Sequence, residues 1–168
     1  MDRISGRVWK VGDDIDTDAI APFGTLTGSW DAVKASMLRQ HRSLVRGARA
    51  GDILVAGNNF GCGSSRENAA ENLKRLGLGA VVAESMGRIF FRNAIAIALP
   101  VMVCPGVGAL VREGDHLELD LVTGAVRRGQ TTECGPTLTA RPHNAITLEI
   151  LRLGSLMNML AERRAAAP

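Results

Sequence analysis

The sequence predicts an α/β domain built on a parallel sheet, and three observations carry that reading. Ile53-Leu54-Val55-Ala56, Ala80-Val81-Val82-Ala83 and Val101-Met102-Val103-Cys104 are continuous apolar runs, as strands buried on both faces are. Between them lie two helical patterns with clear stops: one from about Ser65 to Leu76 meets Gly77, and one from Ile89 to Leu99 meets Pro100. After residue 110 the period falls to two. His116-Leu117-Glu118-Leu119-Asp120-Leu121 alternates polar and apolar, and Thr123-Gly124 turns it into Ala125-Val126-Arg127-Arg128, a hairpin at the sheet's periphery.

The remaining elements follow in order. Val8-Trp9-Lys10-Val11 reads as a short strand before the polar turn Gly12-Asp13-Asp14. The segment from Asp16 to Gly28, with two glycines and a proline, reads as an ordered loop. Ser29 can cap a helix from about Trp30 to His41, with Val33, Met37 and Leu38 on one face. A last helix, about Ala145 to Leu153, stops at Gly154. The 168 residues, 46% hydrophobic, suffice for one packed core. No repeat or linker divides them, so residues 1–160 are expected as one domain, with a frayed tail over 161–168.

Composition excludes several function classes. The net charge of +3 is scattered rather than gathered in a basic stripe, which argues against a nucleic-acid surface. The basic side chains are nearly all arginine, whose planar fork suits carboxylates and phosphates. Cys62, Cys104 and Cys134 are widely spaced and form no Cys-x-x-Cys pair. That pattern suits neither a disulfide framework nor a self-contained zinc or iron–sulfur site, and a reducing cytoplasm is expected. The start has no apolar run of signal-peptide length, and the stretch from Ile89 to Cys104, broken by Arg92, Asn93 and Pro100, is too short to span a bilayer. No membrane association is expected.

Chemistry concentrates in Gly57-Asn58-Asn59-Phe60-Gly61-Cys62-Gly63-Ser64-Ser65-Arg66-Glu67-Asn68-Ala69, between a strand and a helix. Ligands of parallel α/β sheets bind at the carboxyl ends of strands. Glycines admit a tight turn and close backbone approach, and first-turn N–H groups form an anion site. Arg66 adds a bidentate carboxylate clamp. No Lys follows the glycines as in a P-loop, the third dinucleotide-site glycine is missing, and there is no Gly-x-Ser-x-Gly elbow. A capping box would explain Ser64 and Glu67. It explains neither the glycines, nor Ser65, nor an arginine where the helix dipole disfavours a cation.

Gly61-x-Gly63-Ser64-Ser65-Arg66-Glu67 resembles the signature of the swivelling domain of the aconitase family. Asn59-Phe60-Gly61-Cys62-Gly63 is similar to that of the isopropylmalate dehydratase small subunits. Asp16-Thr17-Asp18 resembles the family's early acidic loop. Ile89-Phe90-Phe91-Arg92-Asn93-Ala94, ending at Leu99-Pro100, and Ile150-Leu151-x-x-Gly154-x-Leu156-x-Asn158 extend the likeness over nearly the whole chain.

The resemblance implies a swivelling β/β/α domain that closes over a [4Fe–4S] cluster held by a larger partner, with no cofactor bound by this chain. By position, Ser64 would be the base that removes a proton beside a substrate carboxylate, and Asp18 would orient a group from the partner. Ser65 and Arg66, with Gly63, would hold a carboxylate. From its residues alone, Asp18 reads as an Asx-turn in a polar loop. The likeness departs after Pro22, where Phe23-Gly24-Thr25-Leu26-Thr27-Gly28 contains no cation. A third carboxylate would be unpaired near Leu26, so Phe23, Thr25 and Leu26 are expected to face an apolar or tiny substituent. Isopropylmalate, dimethylmalate and methylmalate (citraconate) stay open as parent substrates. Homoaconitate and a non-catalytic carboxylate-binding domain are the alternatives. Cys62 reads as a small packing residue with a lowered pKa, and His41, His116 and His143 receive no role.

Overall fold

A computed structural model describes residues 2–23, 28–129 and 136–166. Seven strands form one mixed sheet in the order β4-β3-β2-β1-β5-β6-β7. The strands are β1 (Arg3–Lys10), β2 (Ile53–Ala56), β3 (Ala80–Ala83), β4 (Val101–Val103), β5 (His116–Asp120), β6 (Ala125–Arg128) and β7 (Thr137–Thr139). Strands β1 to β4 run parallel, and β5 to β7 continue the sheet antiparallel from β1. The apolar runs of β2 and β3 are buried at every residue, as strands covered on both faces must be. The β5–β6 turn uses Gly124 at φ 78°.

The helices are α1 (Thr17–Ile20), α2 (Trp30–Ser36), α3 (Arg42–Gly47), α4 (Glu67–Arg75), α5 (Arg88–Ala96), α6 (Val107–Leu110), α7 (Ala145–Leu153) and α8 (Leu156–Ala165). Several depart from the sequence reading: α3 and α6 were not expected, and α5 ends at Ala96 rather than Leu99. The segment after Asp16 is not all loop, because the Asp16 carboxylate accepts from Ala19 N at 2.6 Å and starts α1. The helix expected to reach His41 stops at Ser36. Leu38 turns to φ 45° and gives its N–H to the Ala19 carbonyl, while Arg42 Nη1 donates to Lys34 O and Met37 O. α4 begins at Glu67 rather than Ser65. Beyond Leu160, where fraying was expected, α8 continues to Ala165, and Arg163 of α8 pairs with Glu149 of α7 at 2.6 Å. β1 is also longer than Val8–Val11, because its first residues pair with β5. Among the described residues no helix is long and apolar enough to cross a membrane.

One buried ion cluster fastens the N-terminal strand to the helical layer. Asp52 Oδ2 accepts from Trp9 Nε1 at 2.7 Å, Arg49 N at 3.0 Å and Arg7 Nη2 at 3.1 Å. Burial pushes this carboxyl upward, but the three donors outweigh it and hold the group below its ordinary 3.8. A depressed folded-state pKa contributes stability above the unfolded value, and that contribution is lost as pH falls through the folded one. Asp52→Asn is therefore expected to cost about 1–3 kcal/mol at pH 7. The gap from wild type should narrow as the pH drops below about 4. Urea melts of both proteins across pH check this, and a gap that does not change with pH would refute the carboxylate's role.

Candidate active site

Loops at the carboxyl ends of β1, β2 and β3 build the site, because their pairing outlasts the strands. After β1 and β2 end, Asp14 N donates to Asn58 O, Gly61 N to Ile15 O and Thr17 N to Cys62 O. Phe60 O then accepts from Gly87 N, which ties in the loop after β3. This ladder needs glycine twice. Gly61 turns at φ 69°, and a Cβ there would lie 2.4 Å from the Phe90 ring. Gly63 turns at φ 94°, a conformation that side chains resist.

The ladder delivers Asp18 beside Ser64 and Arg66. Arg66 Nε donates to Ser64 Oγ at 3.0 Å, its Nη2 meets Asp18 Oδ1 at 2.9 Å, and its Nη1 donates to the Ala21 carbonyl at 2.7 Å. Ser64 Oγ also lies 3.4 Å from Asp18 Oδ1 and 3.4 Å from Thr17 Oγ1, which is long for an O–H···O bond. The Thr17 hydroxyl donates to the Ser64 carbonyl at 3.1 Å. Phe23, 88% exposed, stands with its ring 5.8 Å from the Arg66 guanidinium. Phe23, Ser64, Ser65, Arg66, Glu67, Asn68 and Glu71 line an open cleft of about 590 Å³.

The structure thus gathers Asp18, Phe23, Gly63, Ser64, Ser65 and Arg66 in one place, from segments more than forty residues apart in sequence. Thr25 and Leu26 lie outside the described residues, as does Cys134. The capping box does not form. Arg66 is the N-cap of α4 and no side chain caps the helix. Ala69 N donates to the Arg66 carbonyl and Arg66 N to the Ser64 carbonyl, which leaves the Glu67 and Asn68 amides without a side-chain acceptor at a helix end suited to an anion. Thr17 was missed as a site residue. Its only signal was a β-branched hydroxyl between two aspartates, and the contact with Ser64 depends on the loop ladder.

Cys62 differs from expectation. It precedes α4 by several residues, and burial, with Asp16 and Asp14 nearby, raises its thiol pKa instead of lowering it. Burial beside Glu84 pushes Cys104 up to about 11. Among the described residues no three His, Cys, Asp or Glu side chains could share a metal ion. His143 packs on Phe91, and burial lowers its pKa despite a bond to the Val101 backbone; no described histidine bonds to the Ser64–Arg66–Asp18 cluster.

The fold is of the aconitase type, and the family model for the Aconitase C-terminal domain matches residues 42–104. The 3-isopropylmalate dehydratase small subunit of Pyrobaculum calidifontis is 48% identical over 166 residues, covering 95% of this chain and 98% of that one. The isopropylmalate/citramalate isomerase small subunit of Methanocaldococcus jannaschii is 42% identical over 164 residues, covering 96% of each. The methanogen homoaconitase small subunit of Methanothermobacter thermautotrophicus is 44% identical over 157 residues, covering 92% and 89%. The crystal structure of a 3-isopropylmalate dehydratase from Methanocaldococcus jannaschii superposes with a TM-score of 0.83 at 36% identity, over 98% of this chain and 96% of that one. This chain belongs to the isopropylmalate dehydratase small-subunit family.

Proposed function

We propose that the chain is the small subunit of a hydro-lyase that isomerises a 2- or 3-alkylmalate, first among them 3-isopropylmalate, by removing and re-adding water. The observation that carries this reading is Arg66 reaching Ser64 Oγ and Asp18 at once. Ser64 is the base: its oxygen takes the proton from the carbon beside a carboxylate. The C–H pair forms the double bond as hydroxide leaves the neighbouring carbon, and water adds back with the opposite regiochemistry. An unperturbed hydroxyl is far too weak for this. The Ser64 hydroxyl first gives its proton to the Asp18 carboxylate it faces, Arg66 Nε–H stabilises the resulting alkoxide, and that alkoxide takes the substrate proton. These bonds tighten when the cleft closes and water leaves.

The Glu67 and Asn68 amides, Ser65 and the remaining side-chain N–H groups of Arg66 hold a substrate carboxylate. Phe23, beside the Arg66 guanidinium, is the described residue we assign to the variable substituent. A larger partner subunit carries the [4Fe–4S] cluster, which supplies Lewis-acid polarisation of the substrate hydroxyl and a carboxylate. The cytoplasm, where free cysteines stay reduced, is the compartment we assign, and cell fractionation tests it.

The homoaconitase relative favours a second reading, a substrate with a third carboxylate. One experiment separates the two. Expressed alone, the chain should be colourless and inactive; assembled anaerobically with its large subunit, it should interconvert alkylmalates. The rates to compare are kcat/KM for 3-isopropylmalate, dimethylmalate, citramalate and homoaconitate. Stoichiometric iron on the isolated chain would overturn the division of labour. A higher kcat/KM for homoaconitate would overturn the alkylmalate assignment.

A further inference from the structure

The short helix α1 carries Thr17 and Asp18, yet with four residues it cannot hold itself in place. Its end is fixed by donors from elsewhere. The carbonyls of Ala19, Ile20 and Ala21 accept in turn from Leu38 N at 2.7 Å, Asn72 Nδ2 at 3.3 Å and Arg66 Nη1 at 2.7 Å. Two of those three donors belong to the α4 segment. Arg66 is its N-cap, and Asn72 lies about a turn and a half further along the helix. Among the described residues Asn72 is one of the few buried polar ones, at 5% exposure, and Ile20 is fully buried. A buried amide is costly unless it is hydrogen-bonded. Leucine or alanine would suit this helix position better by burial alone.

We infer that Asn72 is a positioning residue. By donating to Ile20 O it fixes α1 against α4, and so sets where the Asp18 carboxylate stands relative to Arg66 and Ser64. The inference rests on the active-site reading above and extends it to a residue that touches no substrate. Arg66 cannot do this alone, because its guanidinium also has to hold Ser64 Oγ. Without the Asn72 bond, the Leu38 and Thr17 bonds still hold α1, but the donor from α4 to its end is the Arg66 side chain alone, at the start of that helix. Small misplacements of reacting groups cost large factors in rate.

The test uses the assembled two-subunit enzyme. Asn72→Leu should lower kcat/KM by about tenfold or more per assembled active enzyme. The loss should appear mainly in kcat, while Asp52→Asn, destabilised elsewhere, keeps its kcat. The decisive readout is a double-mutant cycle with Asp18→Asn. Once the carboxylate is gone its placement no longer matters, so adding Asn72→Leu should cost far less than it does in wild type. If Asn72→Leu does not assemble, Asn72→Ser replaces it in the same cycle, with the same coupling expected. Full activity in the Asn72 variants, or strictly additive losses, would overturn this inference alone. Wild-type turnover in both Ser64→Ala and Asp18→Asn would overturn the active-site reading and this inference with it.

Discussion

Ser64→Ala is expected to reduce turnover of the assembled enzyme by about 10²–10⁴, the range for a positioned acid–base group. Stability should hardly move. Ser64 Oγ caps no helix, and its described side-chain contacts are Arg66, Asp18 and Thr17 at the edge of an open cleft. Removing a group so placed costs about 0.5 kcal/mol or less. The structural bond at this residue belongs to its main chain, since the Thr17 hydroxyl donates to the Ser64 carbonyl at 3.1 Å, and alanine keeps that carbonyl. Turnover and thermal melting measured on the same preparation decide the matter. A variant with full turnover and a lowered melting point would return Ser64 to a purely structural role.

Arg66→Lys is expected to lower kcat/KM by about 10²–10³, comparable to losing a preorganised donor at a developing oxyanion. The guanidinium makes three directed contacts at once, to Ser64 Oγ, Asp18 and Ala21 O. An ammonium keeps the charge but not the fork, so it cannot reproduce all three. Both kinetic constants should suffer: kcat because the serine loses its Nε donor, and KM because the substrate carboxylate loses its clamp. The exposed Arg66–Asp18 contact itself adds little to stability, since the Asp18 side chain is 63% exposed. Steady-state kinetics of the variant against 3-isopropylmalate test this. A KM change without any change in kcat would remove Arg66 from the proton-transfer step and leave it a binding residue only.

Much of this molecule follows from local pattern. The apolar runs of β2, β3 and β4 read as buried parallel strands because burial on both faces leaves no alternation. The ends of α4 and α7 were legible because Gly77 and Gly154 adopt φ near 98° and 84°, which few other residues tolerate. The period-two hairpin of β5 and β6 was equally local. The glycine–serine–arginine run pointed to an anion site through its chemistry alone, and that assignment stays a proposal.

What the sequence could not contain was the meeting of distant segments. Asp18 alone reads as a turn residue, and only the loop ladder that extends β1–β2 pairing brings it to Arg66. Asn72 received no role from the sequence, because its buried bond to Ile20 O exists only once α1 docks. The helix from Trp30 ends at Ser36 because Leu38 gives its N–H to Ala19, a contact that no local propensity encodes. Ser64 and Glu67 had the spacing of a capping box, yet Gly63 at φ 94° and the pull of Arg66 toward Asp18 leave α4 uncapped. By itself, then, the sequence determined the buried parallel strands, the glycine-marked ends of α4 and α7 and the kind of chemistry, because these depend on burial pattern and residue type. The tertiary structure decided which groups act together, because hydrogen bonds between segments form only after the sheet has set their register.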